Sequence, residues 1–332
     1  MQYLFVTLCL LSWVTSNLAA QSAAGDPKAW KRYQSAGEKA LKAKDSLEAE
    51  RQFTLAVAEA EKIRKGEGKL QESLDDLAPL LVNHRKYEAA LAAYERLCVL
   101  YAKDVGSNSL KVAEALFGFA QACKFGKRLF EAEDALLRAR AIIERKTEPT
   151  HTARILVQGE LASVHSAQGR LLEAESLYKS AIELAENPRV HYKQYADGAI
   201  QERRYLPPYQ LLGSLRNDLG LLYGEQRRWT EAEDSFKRAQ RLYQTGGGKD
   251  SSGVALALAN LGHLYLQQMK FAEAQAALEQ SLAIREKGFA PNHPLIADTL
   301  EALAAAQHPG NPELAKTTLK RALQIRGTTA TQ

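Results

Sequence analysis

Leu172-Glu173-Ala174-Glu175 is one copy of a phrase that returns about every 42 residues along the chain. The other copies read Leu47-Glu48-Ala49-Glu50, Tyr87-Glu88-Ala89-Ala90, Phe130-Glu131-Ala132-Glu133, Thr230-Glu231-Ala232-Glu233 and Ala272-Glu273-Ala274-Gln275. With Ala49, Ala90, Ala132, Ala174, Ala232 and Ala274 as markers, the steps are 41, 42, 42, 58 and 42 residues. A weaker seventh copy places Ala315 another 41 residues on. A period of this length belongs to a solenoid, in which each unit buries its apolar face only against its neighbours. The fold class expected is therefore an all-α repeat, and the functional expectation moves from catalysis toward binding.

Around each marker the pattern resolves into two amphipathic helices. In the sixth unit the first runs Val254 to Tyr265, a turn follows at Gln268-Met269-Lys270, and the second runs from Ala272 to about Arg285, with apolar residues at three- and four-residue spacing. Twelve residues before each marker stands a small residue: Gly37, Ala78, Ala120, Ala162, Gly220 or Gly262. Four residues after it stands a large one: Phe53, Tyr94, Leu136, Tyr178, Phe236 or Leu278. Three further on come Ala56, Leu97, Ala139, Ala181, Ala239 and Ser281. Small, large, then mostly small is how adjacent helices interdigitate. The alanines of the phrase mark helix contacts, and its glutamates are expected to face water.

This register resembles the tetratricopeptide repeat. Leu219-Gly220, Tyr223, Ala232, Phe236 and Ala239 match that family's pattern in order, and Leu261-Gly262, Tyr265 and Ala274 match nearly as well. The 42-residue spacing and the His293-Pro294 start of a first helix are similar to the kinesin-light-chain variety, with Thr150-His151-Thr152-Ala153 a degraded version of the same start. Proline suits a first helical turn because its missing N–H has no partner to lose there. The resemblance implies a right-handed superhelix of antiparallel helix pairs with a peptide-binding inner groove. It concerns the scaffold and not a motor role, since a secretory signal is expected and a heptad region is not found.

The expected organisation has a secretory signal at 1–20 and an array over 27–326. Its units lie near 29–66, 71–103, 111–146, 152–187, 209–245, 253–287 and 294–326, with an insert at 188–208 and a disordered tail at 327–332. The signal reading rests on the uncharged apolar run Tyr3 to Val14 followed by Ala19, Ala20, Ser22 and Ala23. That run is shorter than the roughly 20 residues of a membrane span. Export to the periplasm or medium is the expectation, with an uncleaved signal anchor the alternative. The mature chain keeps Cys98 and Cys123, too few for a disulfide scaffold. Buried free thiols are expected, and a disulfide between the two is the alternative.

Several segments depart from the pattern. Pro79 lies inside the first helix of the second unit, where it is expected to break a hydrogen bond and kink the helix. The 58-residue step holds about 16 extra residues that mix aromatic and basic groups, among them Tyr192, Tyr195, Arg203, Arg204 and Tyr205, types enriched at interaction hot spots. One extra helical turn plus a long loop is the plainer reading of that insert. His308-Pro309-Gly310-Asn311-Pro312 makes an abrupt turn before a Lys-rich helix, Lys316 to Arg326, whose polar residues suit a terminal cap.

Of 332 residues 45% are apolar and 25% charged, with a net charge of +5, so neither wholesale disorder nor a concentrated basic stripe for nucleic acid is indicated. No catalytic constellation stands out. The histidines form no metal spacing; His84, His151, His293 and His308 are expected in solvent at helix ends or turns, and His165 in the core. Gly246-Gly247-Gly248-Lys249-Asp250 lacks the remaining glycine and the Ser or Thr of a phosphate loop, and reads as a flexible interhelical linker. The expectation is no enzyme, no cofactor and no metal.

The groove candidates lie on the first helices. They are Asp75, Asp76 and Asn83, then Phe117 and Gln121, then Asn217 and Asp218, then Asn260 and His263. The resemblance implies that asparagine on this face hydrogen-bonds the backbone of an extended peptide. Acidic groups outnumber basic ones among the groove residues, which suggests a neutral or basic peptide segment. The partner expected is a protein or peptide held by an exported, non-enzymatic scaffold. The alternatives are an accessory presenting clients to cell-envelope assembly or turnover enzymes, and a polyanion or carbohydrate binder using the insert.

Overall fold

Helix follows helix in the computed structural model, which describes residues 25–147, 152–186, 195–196, 199–200 and 209–329. The first helix pairs are α1 (Pro27–Lys42) with α2 (Ser46–Ala60), α3 (Glu67–Asn83) with α4 (Tyr87–Val105), and α5 (Leu110–Phe125) with α6 (Leu129–Lys146). The later pairs are α7 (Thr152–Ala167) with α8 (Leu171–Glu186), α9 (Tyr209–Glu225) with α10 (Trp229–Gly247), α11 (Ser252–Gln267) with α12 (Phe271–Gly288), and α13 (Pro294–Gln307) with α14 (Pro312–Thr329). Contacts gather into two compact units, one ending at Ala135 and one starting at Leu136, so the division falls inside α6. In the first unit each helix from α1 to α5 packs on the next, and α3 also touches α5. In the second, consecutive helices pack from α7 to α14, and the first helices touch one another as α7 with α9, α9 with α11 and α11 with α13.

The small-and-large register explains this packing. All seven marker alanines are buried, as are Phe53, Tyr94, Leu136, Tyr178, Phe236 and Leu278. A Cβ added to Gly37 would stand 2.6 Å from the Phe53 ring, and one added to Gly220 would stand 2.7 Å from the Phe236 ring. Real side chains do not approach so closely, so glycine is what allows the two helices of these pairs to close over an aromatic ring.

A second periodicity lies in the turn between paired helices. Lys44, Arg85, Lys127, Arg227 and Met269 have φ between 57° and 62°, and Gly169 has 79°. Each is the left-handed residue of the same helix stop. In the fifth pair, Arg227 N–H donates to Gly224 O (3.0 Å) and Arg228 N–H to Tyr223 O (2.9 Å). The other five turns repeat both bonds, which satisfy carbonyls that a helix end would leave open. The residue after the left-handed one also starts the next helix, because Asp45, Lys86, Arg128, Arg170, Arg228 and Lys270 each accept from the marker alanine four residues on. One residue thus ends a helix and begins its partner.

The glutamates of the phrase do more than face water. The one before the marker holds the basic helix start. Arg128, Arg170 and Arg228 each grip Glu131, Glu173 and Glu231, three residues on, with two nitrogens. The one after the marker reaches into the following pair. Glu50 receives Lys86 and His84, and Glu233 receives the Tyr265 hydroxyl at 2.9 Å. Glu175 is buried and receives Arg228 at 2.6 Å, Tyr223 at 3.2 Å and Lys179 at 2.7 Å. The Arg228 and Lys179 bonds outweigh its burial and hold its carboxyl down at about 2. The glutamate after the marker therefore latches one pair to the next, a role beyond the expected solvated face, while Glu131, Glu173 and Glu231 before it are exposed as expected.

Other expectations are corrected as well. His84 is half-buried between Glu50 and Ser46, not free in solvent. Gly246 and Gly247 finish α10, and Gly248 at φ 84° ends it, so the flexible linker shrinks to Lys249-Asp250 before Ser251 caps α11. Pro79 lies inside α3, which runs on to Asn83, and its missing N–H removes one helical bond as expected. The last helix reaches Thr329, three residues into the stretch expected as tail. His165 is in the core as expected, and Cys98 and Cys123 are not joined in a disulfide. In the insert, Tyr195–Ala196 pairs antiparallel with Ala199–Ile200. The signal stretch 1–20, His151, Tyr192, Arg203, Arg204 and Tyr205 lie outside the described residues.

Candidate peptide-binding face

Within each compact unit, polar side chains of the first helices are tied across neighbouring pairs. In the first unit Trp30 Nε1 donates to Ser73 Oγ, which donates to buried Gln34 Oε1, each at 2.9 Å; Gln34 Nε2 donates to Asp76 Oδ2 at 2.6 Å. Gln34 lies fifteen residues before its marker and Asp76 fourteen before the next, so the tie runs to the residue after Gln34's counterpart Asp75. In the second unit Asn260 Nδ2 donates to Asn217 Oδ1 at 2.7 Å, and Asn217 Nδ2 lies 3.3 Å from Asp218 Oδ1. Asn217 is buried and Asn260 half-buried. The amide of Asn217 is therefore committed to its neighbours, and Asn260 is the one of the pair on the surface.

Electrostatics distinguish the face of the first unit. Asp75 is exposed and Asp76 half-buried, yet both are surrounded closely enough that desolvation raises their carboxyl pKa. Like charge adds to this: Glu114 pushes Asp75, and Glu38 and Asp75 push Asp76, in the same direction. Glu72 is raised by burial, Asp76 and Glu38. The Tyr101 hydroxyl, reaching over from α4, donates to Asp75, and it and the Lys111 charge oppose part of that rise. The carboxylates crowd one another at a partly desolvated surface, a setting that an approaching cation relieves. Asn83 is exposed in the last turn of α3, while Phe117 and Gln121 are half-buried on α5.

In the second unit His263 is exposed, but surrounding protein and the nearby Arg285 charge lower its pKa, with Asp298 opposing. Arg285 is buried and donates to Leu295 O (2.9 Å) and Thr299 Oγ1 (2.5 Å). Sequence reading missed Tyr101, Tyr243 and Arg285, because they belong to second helices. Each lies eleven residues after its marker, and there a long side chain reaches a first helix: Tyr101 to Asp75, Tyr243 to Ser214, and Arg285 to Thr299. That recurrence was the available signal. Among the described residues no group of three or more His, Cys, Asp or Glu is placed to hold a metal. No helix among them is long and apolar enough to cross a membrane.

These paired helices, with small residues opposite large ones and polar ties between first helices, define a helical-repeat protein. The tetratricopeptide repeat family model matches residues 111–187, 210–287 and 253–327, more than half of the chain. The chain belongs to the tetratricopeptide repeat family. It is similar to the kinesin light chain-related protein 2 of Arabidopsis thaliana, 23% identical over 245 residues covering 64% of this chain. It spans about a third of that relative's length, 35%. Among solved structures it resembles BtubC (BKLC) from P. vanneervenii, with TM-score 0.58, 22% identity and coverage of 74% of this chain and 92% of that one. It also resembles a Rap protein complexed with competence and sporulation factor, with TM-score 0.59, 16% identity and coverage of 95% and 79%. At these identities the likeness is one of fold.

Proposed function

We propose that this chain is an exported, non-enzymatic scaffold that holds a neutral or basic peptide segment against the first-helix face. The observation carrying this reading is the crowd of carboxylates around Asp75 and Asp76, whose pKa values rise first through desolvation and then through repulsion from neighbouring carboxylates. A lysine or arginine of a bound segment would neutralise that repulsion, whereas an acidic segment would add to it. The face of the first unit is prearranged by ties such as Gln34 to Asp76, so little ordering is lost on binding. A fold neighbour described as complexed with competence and sporulation factor supports partner binding by such an architecture. Export rests on the apolar run at Tyr3 to Val14 and the small residues after it. Photo-crosslinking of a bound cationic peptide tests the location: adducts are expected on α3 and α5, and adducts confined to second helices refute it.

A further inference from the structure

The edge formed by the turns between paired helices carries a second surface. Among the described residues the most exposed large apolar side chains are Phe130, Leu172 and Met269 at 82%, 81% and 76%, and Leu47 follows at 69%, level with Val99. Four of these five stand in or just after a turn that joins a first helix to its second. In the first unit three such turns are contiguous. His84 meets Ser46 at 3.0 Å, joining the first turn to the second. Tyr87 stacks on Phe125 with ring centres 6.2 Å apart, joining the second to the third. Phe125 is itself 53% exposed.

The charge on this edge is basic. The left-handed residues Lys44, Arg85 and Lys127 are exposed and make no ion pair among the described residues. The acids beside them are occupied. Glu50 holds Lys86 and His84, Glu131 holds Arg128, Glu88 takes a further Arg128 nitrogen at 3.5 Å, and Asp45 caps α2. The second unit repeats the composition, with exposed Arg227 beside the Arg228 start of α10 and exposed Met269 beside Lys270.

We propose that the turn edge of the first unit docks on an anionic lipid bilayer, with Leu47, Phe125 and Phe130 entering the interface and Lys44, Arg85 and Lys127 facing the headgroups. The exposed apolar side chains stand on successive turns, Phe125 stacked on Tyr87 between two of them. A rigid protein partner would need a matching row of pockets, whereas a lipid surface deforms around each side chain. Cations interleaved with protruding apolar groups are the combination that anionic interfaces bind. This surface lies on the turns and on the turn end of α5, away from the Asp75 and Asp76 cluster that carries the peptide reading.

The test is cosedimentation of the purified protein with vesicles of phosphatidylglycerol and phosphatidylcholine, or of phosphatidylcholine alone. The apolar stretch Tyr3 to Val14 can itself partition, so the readout compares the protein with edge variants that retain that stretch. One variant carries Leu47→Ser and Phe130→Ser; the other carries Lys44→Gln, Arg85→Gln and Lys127→Gln. Both replace exposed side chains, and circular dichroism melting verifies that each remains folded. The expected result is binding to anionic vesicles that weakens with salt and falls at least tenfold in each variant, with peptide binding unchanged. Equal binding by protein and variants, equal binding to phosphatidylcholine alone, or capture by heparin without vesicle binding would each overturn the proposal.

Discussion

Replacing Glu175 by glutamine removes one charge from a buried junction and little volume. Glu175 joins α8 to Arg228 and Tyr223 of the following pair while also holding Lys179. Its carboxyl is lowered from 4.5 to about 2. A shift of roughly 2.5 units at about 1.4 kcal/mol each bounds the preference of the folded state for the ionised group near 3 kcal/mol. The sign follows from a depressed folded pKa: the stabilisation is fully present above the unfolded value and is lost as pH falls from about 5 toward 2. Urea unfolding at pH 7 is expected to show Glu175→Gln destabilised by about 2 kcal/mol, with the difference vanishing near pH 2. In a nearest-neighbour array the same loss can split the transition, because the pairs on either side then unfold separately. A variant within about 0.5 kcal/mol of the parent at pH 7, which is the range of an exposed ion pair, and with an unsplit transition, would refute the latch.

Other outcomes follow from the same geometry. Gly220→Val places a side chain where even a Cβ would be 2.7 Å from the Phe236 ring, and is expected to destabilise by about 2 to 3 kcal/mol in thermal or urea unfolding, with Phe236→Leu restoring part. Arg227→Gly relieves a left-handed backbone at φ 57° and is expected to raise stability by about 0.5 to 1 kcal/mol; a loss would contradict the assignment of the turn. Cys123 is buried and its thiol is pushed up to about 11 by desolvation. Iodoacetamide at pH 8 is therefore expected to leave it unmodified until the protein unfolds, as mass spectrometry would show.

Much of the fold was legible because the packing rule is local. Marker alanines, the small residue twelve before and the large one four after all lie within a single helix pair, so Gly220 and Phe236 could be matched on spacing alone. The roles of the glutamates were not legible in that way. Glu175 meets Tyr223 48 residues on and Arg228 53 residues on, across the insert, and only stacking of successive pairs brings them together. The regularity is visible once known, since Glu233 meets Tyr265 32 residues on, the same relation without the insert. The left-handed turns were hidden for a different reason. Lysine, arginine and methionine occupy five of the six positions where glycine would have announced a helix stop. On the first-helix face, the sequence marked Asn217 and Asn260 alike as polar surface, but one amide is buried to support the other.

The central claim is that the carboxylates on the first-helix face select the partner's charge. Its most direct measurement is binding of a peptide library, varied in charge at constant length, to the purified protein and to the Asp75→Asn, Asp76→Asn double variant. Neutral or basic peptides are expected to bind preferentially, with the preference for basic ones reduced in the variant. A consistent preference for acidic peptides, or a charge preference that the variant leaves unchanged, would contradict it.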